Sequence, residues 1–446
     1  MERPVVVVGA GAAGLMAARS AGERIGRPGG VLVLEASREP GRKILVSGGG
    51  RCNILPAGDA PERFVSSSPG RLVRRFLDRW PLAAQREFFE ELLGGPLREE
   101  PESGKLFPPT NRARDVRDLL RDRALAAGAE IRSGVAVREV APTSDGGFLL
   151  RVDEDTIRAR AVVLSTGGLS VLAQGADAGG FTWARGLGHT IRPTFPALVP
   201  LVGDSPSHHA LAGVSLRARV TAKSGEESAA SEGGFLFTHK GWSGPAVLDV
   251  SHVVERARLV GRKADVRATF MPTELEGPEK MKSGRNPSNG PVLAASPERF
   301  GSVEAVARAW DEQLRGRPGS GGSLSSILRR HSVPDRLAQL ILWTAGVADV
   351  SLSHFSREAR RRLVDALTGF PIPATSTEGY RTAEVTGGGV ALEEVDPGSG
   401  ESRLVPGLFF AGEILDAFGP IGGFNFQWAW ATGRTAGEAA GRRVSL

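Results

Sequence analysis

Val5-Val6-Val7-Val8-Gly9-Ala10-Gly11-Ala12-Ala13-Gly14 opens the chain and decides its fold. Four consecutive β-branched residues read as a parallel strand buried on both faces. Leu15 to Ala21 is small and helix-compatible, and Val31-Leu32-Val33-Leu34 reads as a second buried strand ending at Glu35. Strand, glycine turn, helix and strand make a compact βαβ unit. In that setting Gly9 permits the tight turn, Gly11 lets the backbone approach a pyrophosphate, and Gly14 lets the helix pack against the strand. Ala12 and Ala13 begin the helix, whose free N–H groups face the phosphates. Glu35 follows Gly14 by 21 residues. A carboxylate there, with Ala36 beside it, suits hydrogen bonds from an adenosine ribose and disfavours a 2′-phosphate.

Three further motifs point to the same ligand. Gly41-Arg42-Lys43 leads through Ile44, Leu45 and Val46 to Ser47-Gly48-Gly49-Gly50-Arg51-Cys52-Asn53. Bare backbone at Gly50 and its neighbours admits a ligand, and Arg42, Lys43 and Arg51 bring cations to a diphosphate. Cys52 has no partner cysteine in the chain, so packing beside the cofactor is favoured over a redox or nucleophilic role. The apolar run Val162 to Leu164 ends in Ser165-Thr166-Gly167-Gly168, which returns the chain to the carboxyl end of the sheet, where doubly wound folds bind ligands. Finally, Gly407-Leu408-Phe409-Phe410-Ala411-Gly412-Glu413 reads as a strand with a carboxylate for a ribityl chain. Gly422-Gly423-Phe424-Asn425 then opens a last helix, expected over Asn425 to Ala440, whose positive end suits the pyrimidine edge of an isoalloxazine.

Between these motifs, helices are expected at Leu82–Leu93 and at Asp115–Ala127, the latter capped by Gly128. Strands are expected at Glu130–Val140, Gly147–Val152 and Ile157–Ser165. Residues 197 to 270 show short alternating strands, and residues 302 to 369 about three helical segments. The stretch 274–298, rich in Pro, Gly, Ser, Asn and Lys, reads as a mobile surface loop. The expected organisation is a discontinuous α/β cofactor domain, 1–195 and 381–446. It is interrupted by an antiparallel β module at 196–300 and a small helical part at 301–380.

Composition agrees. Of 446 residues, 41% are hydrophobic and 24% charged, which excludes a disordered or collagenous chain, and a single cysteine excludes a disulfide scaffold. The net charge of +6 is dispersed, so nucleic acid is not the expected partner. The N-terminal apolar run is too short for a signal segment or a span, and no stretch reaches eighteen apolar residues. A cytoplasmic protein is expected. No HExxH, P-loop, GxSxG or clustered His/Cys set occurs, and the pair His208-His209 reads as surface rather than metal site.

Taken together, GAGAAG, Glu35, GRKILVSGGGRCN, the STGG return, FTHKGWSGPAVLDVS (Phe237–Ser251), VTGGGV and GLFFAGEILD with GGFNFQWAWATG resemble the BaiN-like family of FAD-dependent oxidoreductases, also described as aminoacetone-oxidase-like flavoproteins. The resemblance spans most of the chain. It implies a glutathione-reductase-type FAD domain with an inserted β-barrel-like part and a small helical part. It also implies non-covalent FAD on Gly9, Gly11, Gly14, Glu35, Lys43, Arg51, Thr166, Gly167, Glu413, Gly422 and Gly423, with the Val137 backbone at the adenine. Three departures bear on the substrate: Ile54-Leu55-Pro56 stands where relatives carry a Thr-Asn pair, Phe424 replaces a common Tyr, and the 274–298 stretch is longer.

The expected activity is hydride transfer between flavin N5 and a small organic substrate, foremost as an NAD(P)H-fed reductase of an activated C=C. No second GxGxxG motif follows a strand, so NAD(P)H enters this scheme as a transient donor that reaches the flavin through the substrate cleft. His239 and Lys240 are the acid–base candidates, weighed against a purely structural turn. The alternatives are a substrate-fed oxidase of an amine or C–H donor, a flavin-dependent RNA-modifying enzyme, and a non-catalytic redox sensor.

Overall fold

The computed structural model describes residues 2–101, 103–153, 155–170, 179–272, 302–315 and 322–445. The expected loop 274–298 lies outside the described residues. The chain packs as two units, Met1–Pro196 with Glu384–Leu446, and Ala197–Ala383.

The first unit is built on a seven-stranded sheet. Its order is Ala129–Ser133, Val31–Glu35, Glu2–Val8, Asp155–Leu164, Phe148–Val152 and Val137–Pro142. Leu408–Phe410 pairs in parallel with the second half of Asp155–Leu164. The strands from Ala129–Ser133 to Asp155–Leu164 are also parallel, and the last two turn back as an antiparallel meander. Patterning follows pairing. Val5 to Val8 are all buried, as a doubly covered parallel strand requires, whereas Phe148–Val152 alternates buried and exposed. The register aligns Val8 with Leu34 and Leu164, and Leu164 with Phe410. The glycine-rich turns that follow these strands therefore emerge along one edge.

The closing helix, Phe424–Ser445, lies against the first helix, Ala12–Ile25. Gly433, Gly437 and Gly441 form the seam. A Cβ at Gly433 would sit 2.4 Å from the Ala13 carbonyl oxygen, one at Gly437 2.2 Å from that of Ala17, and one at Gly441 3.0 Å from that of Ala21. This four-residue glycine spacing lets the two backbones touch, so each helix buries its small face on the other.

Three expectations are revised here. The single strand expected at Glu130–Val140 is two, because Gly134 N–H donates to Ser37 O and Val135 N–H to Glu35 O, which ends the parallel ladder before the meander begins. The polar stretch after Glu35 contains a helix, Arg42–Gly50, interrupted by non-helical Ser47 to Gly49. The region 302–369 holds four helices among the described residues: Val303–Arg315, Leu324–Arg330, Asp335–Thr344 and Arg357–Thr368.

The second unit carries a seven-stranded antiparallel sheet. Ser215–Ser224 and Glu227–Phe237 form its long central hairpin, and Pro245–Leu259 packs across both. His208 is buried here, which corrects its reading as a surface residue. Its ring stacks on Phe370 at 5.1 Å and meets Phe237 and Trp242 edge-on. His209 instead bonds Gly203 O at 2.9 Å. Burial, then the neighbouring His209, pushes the His208 pKa down to about 4; burial does the same to His252. Between that value and the ordinary 6.5 the unfolded chain binds protons that the folded unit refuses, so stability falls as pH drops through this window. Urea midpoints measured from pH 7 to pH 4.5 should decline, and His208→Phe should flatten the decline.

Candidate functional site

The first glycine loop is held by the sheet edge itself. Ser165 Oγ donates to the carbonyls of Val8 and Gly9, at 3.0 Å each. A Cβ on Gly9 would lie 2.5 Å from Ser165 O, and one on Gly14 only 1.8 Å from Gly9 O, so both positions are closed to side chains. Gly11 differs: a Cβ there would meet nothing within 4 Å. Gly11 precedes the helix that Ala12 and Ala13 begin, and its open side is a space bounded by free helix N–H groups, suited to an anion.

Glu35 closes the neighbouring strand. Its carboxylate accepts from Ala10 N at 2.7 Å and from Ser37 N at 2.8 Å, which pins both oxygens beside the loop and next to Ala36. Val135 N–H bonds the Glu35 carbonyl, so the meander strand that starts with buried Val137 begins close to this acid.

Gly41 N–H donates to Ala10 O and ties the second glycine segment to the first. Arg42 and Lys43 start the short helix. Lys43 Nζ donates to Glu413 Oε2 at 2.5 Å and to Ser170 Oγ at 2.7 Å. Glu413 Oε1 accepts from Thr386 N at 2.8 Å, and Thr386 Oγ1 accepts from Leu169 N at 2.7 Å. Gly168 is required at this crossing, since its Cβ would fall 2.3 Å from Thr386 Oγ1. Thr166 and Gly167 precede it, and the Gly167 Cβ position is open. Four segments distant in sequence thus converge on one polar cluster. Thr386 stands in the VTGGGV motif, but neither it nor Ser170 is a cofactor candidate in the sequence. Their only signals were adjacency to the glycine cluster Gly387–Gly389 and to Thr166–Gly168.

Gly50, Arg51, Cys52 and Asn53 turn the chain inward. The Arg51 guanidinium lies 4.2 Å from the Phe107 ring centroid and 3.2 Å from Glu100. Cys52 is fully buried at φ +60, and burial pushes its thiol up to about 12. At pH 7.5 only on the order of 10⁻⁵–10⁻⁴ of such a group is thiolate, which leaves it inert as a nucleophile. Ellman's reagent should find no reactive thiol in the native protein over an hour and the single cysteine after denaturation; rapid native labelling would refute the packing role.

With its amide oriented to satisfy both neighbours, Asn53 accepts from Gly423 N at 2.9 Å and donates to Leu55 O at 3.2 Å. Gly423 must be glycine, because a Cβ would stand 2.4 Å from the Leu55 carbonyl carbon. The start of the closing helix is thereby fixed against this segment. Gly422 precedes it, Phe424 packs edge-on to Phe64 at 6.0 Å, and Asn425 clasps both backbone groups of Gly419 at 2.9 Å. Gly412 N–H bonds Thr432 Oγ1, and Trp428 Nε1 donates to Gly412 O, so the helix also positions Glu413.

Glu35 ends its strand and Val137 begins one close to it; the other cofactor candidates lie on turns or in helices outside the sheet. Open backbone at Gly11 and Gly167, a fixed carboxylate at Glu35 and a Lys–Glu pair further along the edge fit an extended dinucleotide. His239 and Lys240 belong to the second unit. Both are exposed on the turn between Glu227–Phe237 and Gly241–Ser243, where Thr238 Oγ1 accepts from the N–H groups of Lys240 and Gly241. Among the described residues no cluster of three His, Cys, Asp or Glu could hold a metal, and no helix is long and apolar enough to cross a membrane.

The chain matches the HI0933-like protein Rossmann domain family over residues 3–439. It is 32% identical over 438 residues to a ribosomal RNA dihydrouridine synthase of Escherichia coli, across 97% of this chain and 96% of that one. It is 30% identical to a 3-dehydro-bile acid delta(4,6)-reductase of Clostridium scindens, across 98% of both chains. Among solved structures, a 3-ketosteroid-delta4-(5alpha)-dehydrogenase of Rhodococcus jostii aligns over 100% of this chain and 97% of its own, with 15% identity and a TM-score of 0.48. With a family match over residues 3–439 and relatives 30% and 32% identical over nearly the whole chain, the chain belongs to the HI0933-like family and is an FAD-dependent oxidoreductase with a Rossmann-type cofactor domain.

Proposed function

We propose that this protein reduces a carbon–carbon double bond conjugated to a carbonyl, with NAD(P)H as the electron source. One observation carries the reading. Two relatives, each similar over nearly its whole length, bear names for one reaction type on unlike molecules. Forming dihydrouridine saturates a ring double bond of uracil, and a delta(4,6)-reductase saturates ring double bonds of a bile acid.

When bound, FAD supplies the hydride. The chain's residues hold and orient it. The loop Gly9 to Gly14 and the helix behind it take the diphosphate, with Arg42, Lys43 and Arg51 as nearby cations. Glu35 accepts from the adenosine ribose, and the Val137 backbone meets the adenine. Thr166 to Gly168, Gly412 and Glu413 line the middle of the cofactor, and Gly50, Cys52 and Asn53 pack alongside. At the far end Gly422, Gly423, Phe424 and Asn425 present the positive end of a 22-residue helix, which favours negative charge on the pyrimidine ring. The carbon next to the substrate carbonyl must gain a proton, and His239 and Lys240 are the candidates to deliver it.

A second reading keeps the chemistry and changes the acceptor to a uracil base in RNA. The 32% relative favours it. Anaerobic titration with NADH and then NADPH tests the shared claim: the flavin absorbance should bleach within turnover time and return on adding acceptor. A flavin that stays oxidised with both nucleotides but bleaches with an amine or alcohol overturns the reading in favour of a substrate-fed oxidase. Comparing an enone with uridine-containing RNA as the reoxidant separates the two acceptors.

A further inference from the structure

Arginines on five helices of this chain are matched by an acid one turn away: Arg19 with Glu23, Arg86 with Glu90, Arg315 with Asp311, Arg362 with Glu358 and Arg434 with Glu438. The helix Gly70–Leu77 differs in crowding its arginines on one face. Its outward face carries Arg71, Arg74 and Arg75, and exposed Arg79 follows in the next turn. Arg71 stands three residues from Arg74 and four from Arg75, spacings at which like charges repel and cost stability. Arg71, Arg75 and Arg79 have no ion-pair partner among the described residues. Arg74 reaches Glu62 only at 3.9 Å, with both side chains largely exposed. A local conflict that folding alone does not require marks a functional surface.

The opposite face of the same helix is anchored. Val73, Phe76 and Leu77 are buried, and Phe76 packs on Trp428 of the closing helix with ring centroids 5.4 Å apart. The strip continues past Glu62 to Arg63, whose guanidinium carbon lies 5.1 Å from the centroid of the Phe424 ring. Phe424 directly follows Gly422-Gly423. The basic face is thus held rigidly against the helix start that closes the candidate cofactor site, within one packed unit.

None of the large apolar side chains exposed on this protein lies on the strip. It lacks the apolar centre that a protein interface needs and the apolar face that a membrane-surface helix needs. Beside exposed Glu62 and Asp78 it offers four guanidinium forks, which match phosphate oxygens two at a time. We propose that Arg71, Arg74, Arg75 and Arg79 dock the phosphodiester backbone of a single-stranded RNA, with Arg63 leading it toward the Phe424 end of the site. This rests on the RNA-acceptor reading above.

The test uses the FAD-loaded full chain and a short uridine-containing single-stranded RNA, followed by fluorescence anisotropy from low to moderate salt. Wild-type affinity should fall steeply with salt. The triple variant R71Q/R75Q/R79Q should bind at least about tenfold more weakly at low salt, and its log–log salt slope should be shallower by about 2, as loss of three phosphate contacts on a single strand requires. Its flavin content and nicotinamide-driven bleaching should match wild type, and its melting temperature should be equal or higher, since the changes relieve repulsion on an exposed face. A control triple on another surface, R330Q/R357Q/R361Q, should leave the slope unchanged. Equal slopes for wild type and R71Q/R75Q/R79Q, equal losses in both triples, or no RNA binding by wild type each overturn the proposal. If the strip binds RNA as described but no uridine is reduced, the docking surface stands and the RNA-acceptor reading fails.

Discussion

Gly11→Val is expected to yield a folded protein without flavin. A Cβ at Gly11 meets no heavy atom within 4 Å, and the backbone there, at φ −74 and ψ −167, accepts any residue. Folding therefore proceeds without strain. The added side chain fills the space that backbone and helix N–H groups leave for a pyrophosphate. A steric loss of about 3 kcal/mol in binding, on the order of a hundredfold in affinity, is expected. Absorbance near the flavin band per mole of purified protein reads the loss, and a circular dichroism melt confirms the fold. Retained stoichiometric flavin would show that the diphosphate lies elsewhere. Gly14→Ala is the contrasting variant. Its methyl would lie 1.8 Å from Gly9 O, so it should damage the loop itself and lower the melting temperature as well as the flavin content.

Gly437→Leu should be the most damaging single change outside the glycine turns. Even its Cβ would approach the Ala17 carbonyl oxygen to 2.2 Å, and rigid backbone stands on both sides. The helices must separate or tilt. Overpacking of this kind costs about 3 kcal/mol, roughly 6–12 °C in the melting temperature of a unit this size. Because the same helix carries Trp428 and Thr432, which fix Gly412, flavin affinity should fall in parallel. A melting temperature within about 2 °C of wild type would mean that the two helices do not touch as described. Gly58→Leu, at an exposed position where a Cβ meets nothing, is the matched control.

Much of the cofactor unit was legible because its signals are local. Val5 to Val8, the Gly9–Gly14 spacing and Glu35 each report on their own few neighbours, and the helix Leu82–Leu93 falls where its apolar face predicts it. What escaped notice depends on contacts between distant segments. Thr386 is a functional candidate only because Glu413 and Leu169 arrive beside it. Gly134 divides two strands because Glu35 and Ser37 take up the amides around it. His208 looks like a surface residue until Phe370, more than 150 positions later, stacks on its ring. The four-residue glycine spacing in the last helix was present in the sequence, but its meaning needed a partner helix that lies at the other end of the chain.

That pairing sets an order of events during synthesis. The helix Ala12–Ile25 leaves the ribosome before its partner Phe424–Ser445, with about 400 residues between them. The whole second unit, Ala197–Ala383, emerges between them and is free to fold first. The first helix must wait with its small face uncovered, a natural station for a chaperone. Chains stalled after residue 423 should therefore resist protease across the sheet and helix at 215–270 while the Gly9–Gly14 segment is still cut, and flavin should be captured only when the final helix docks.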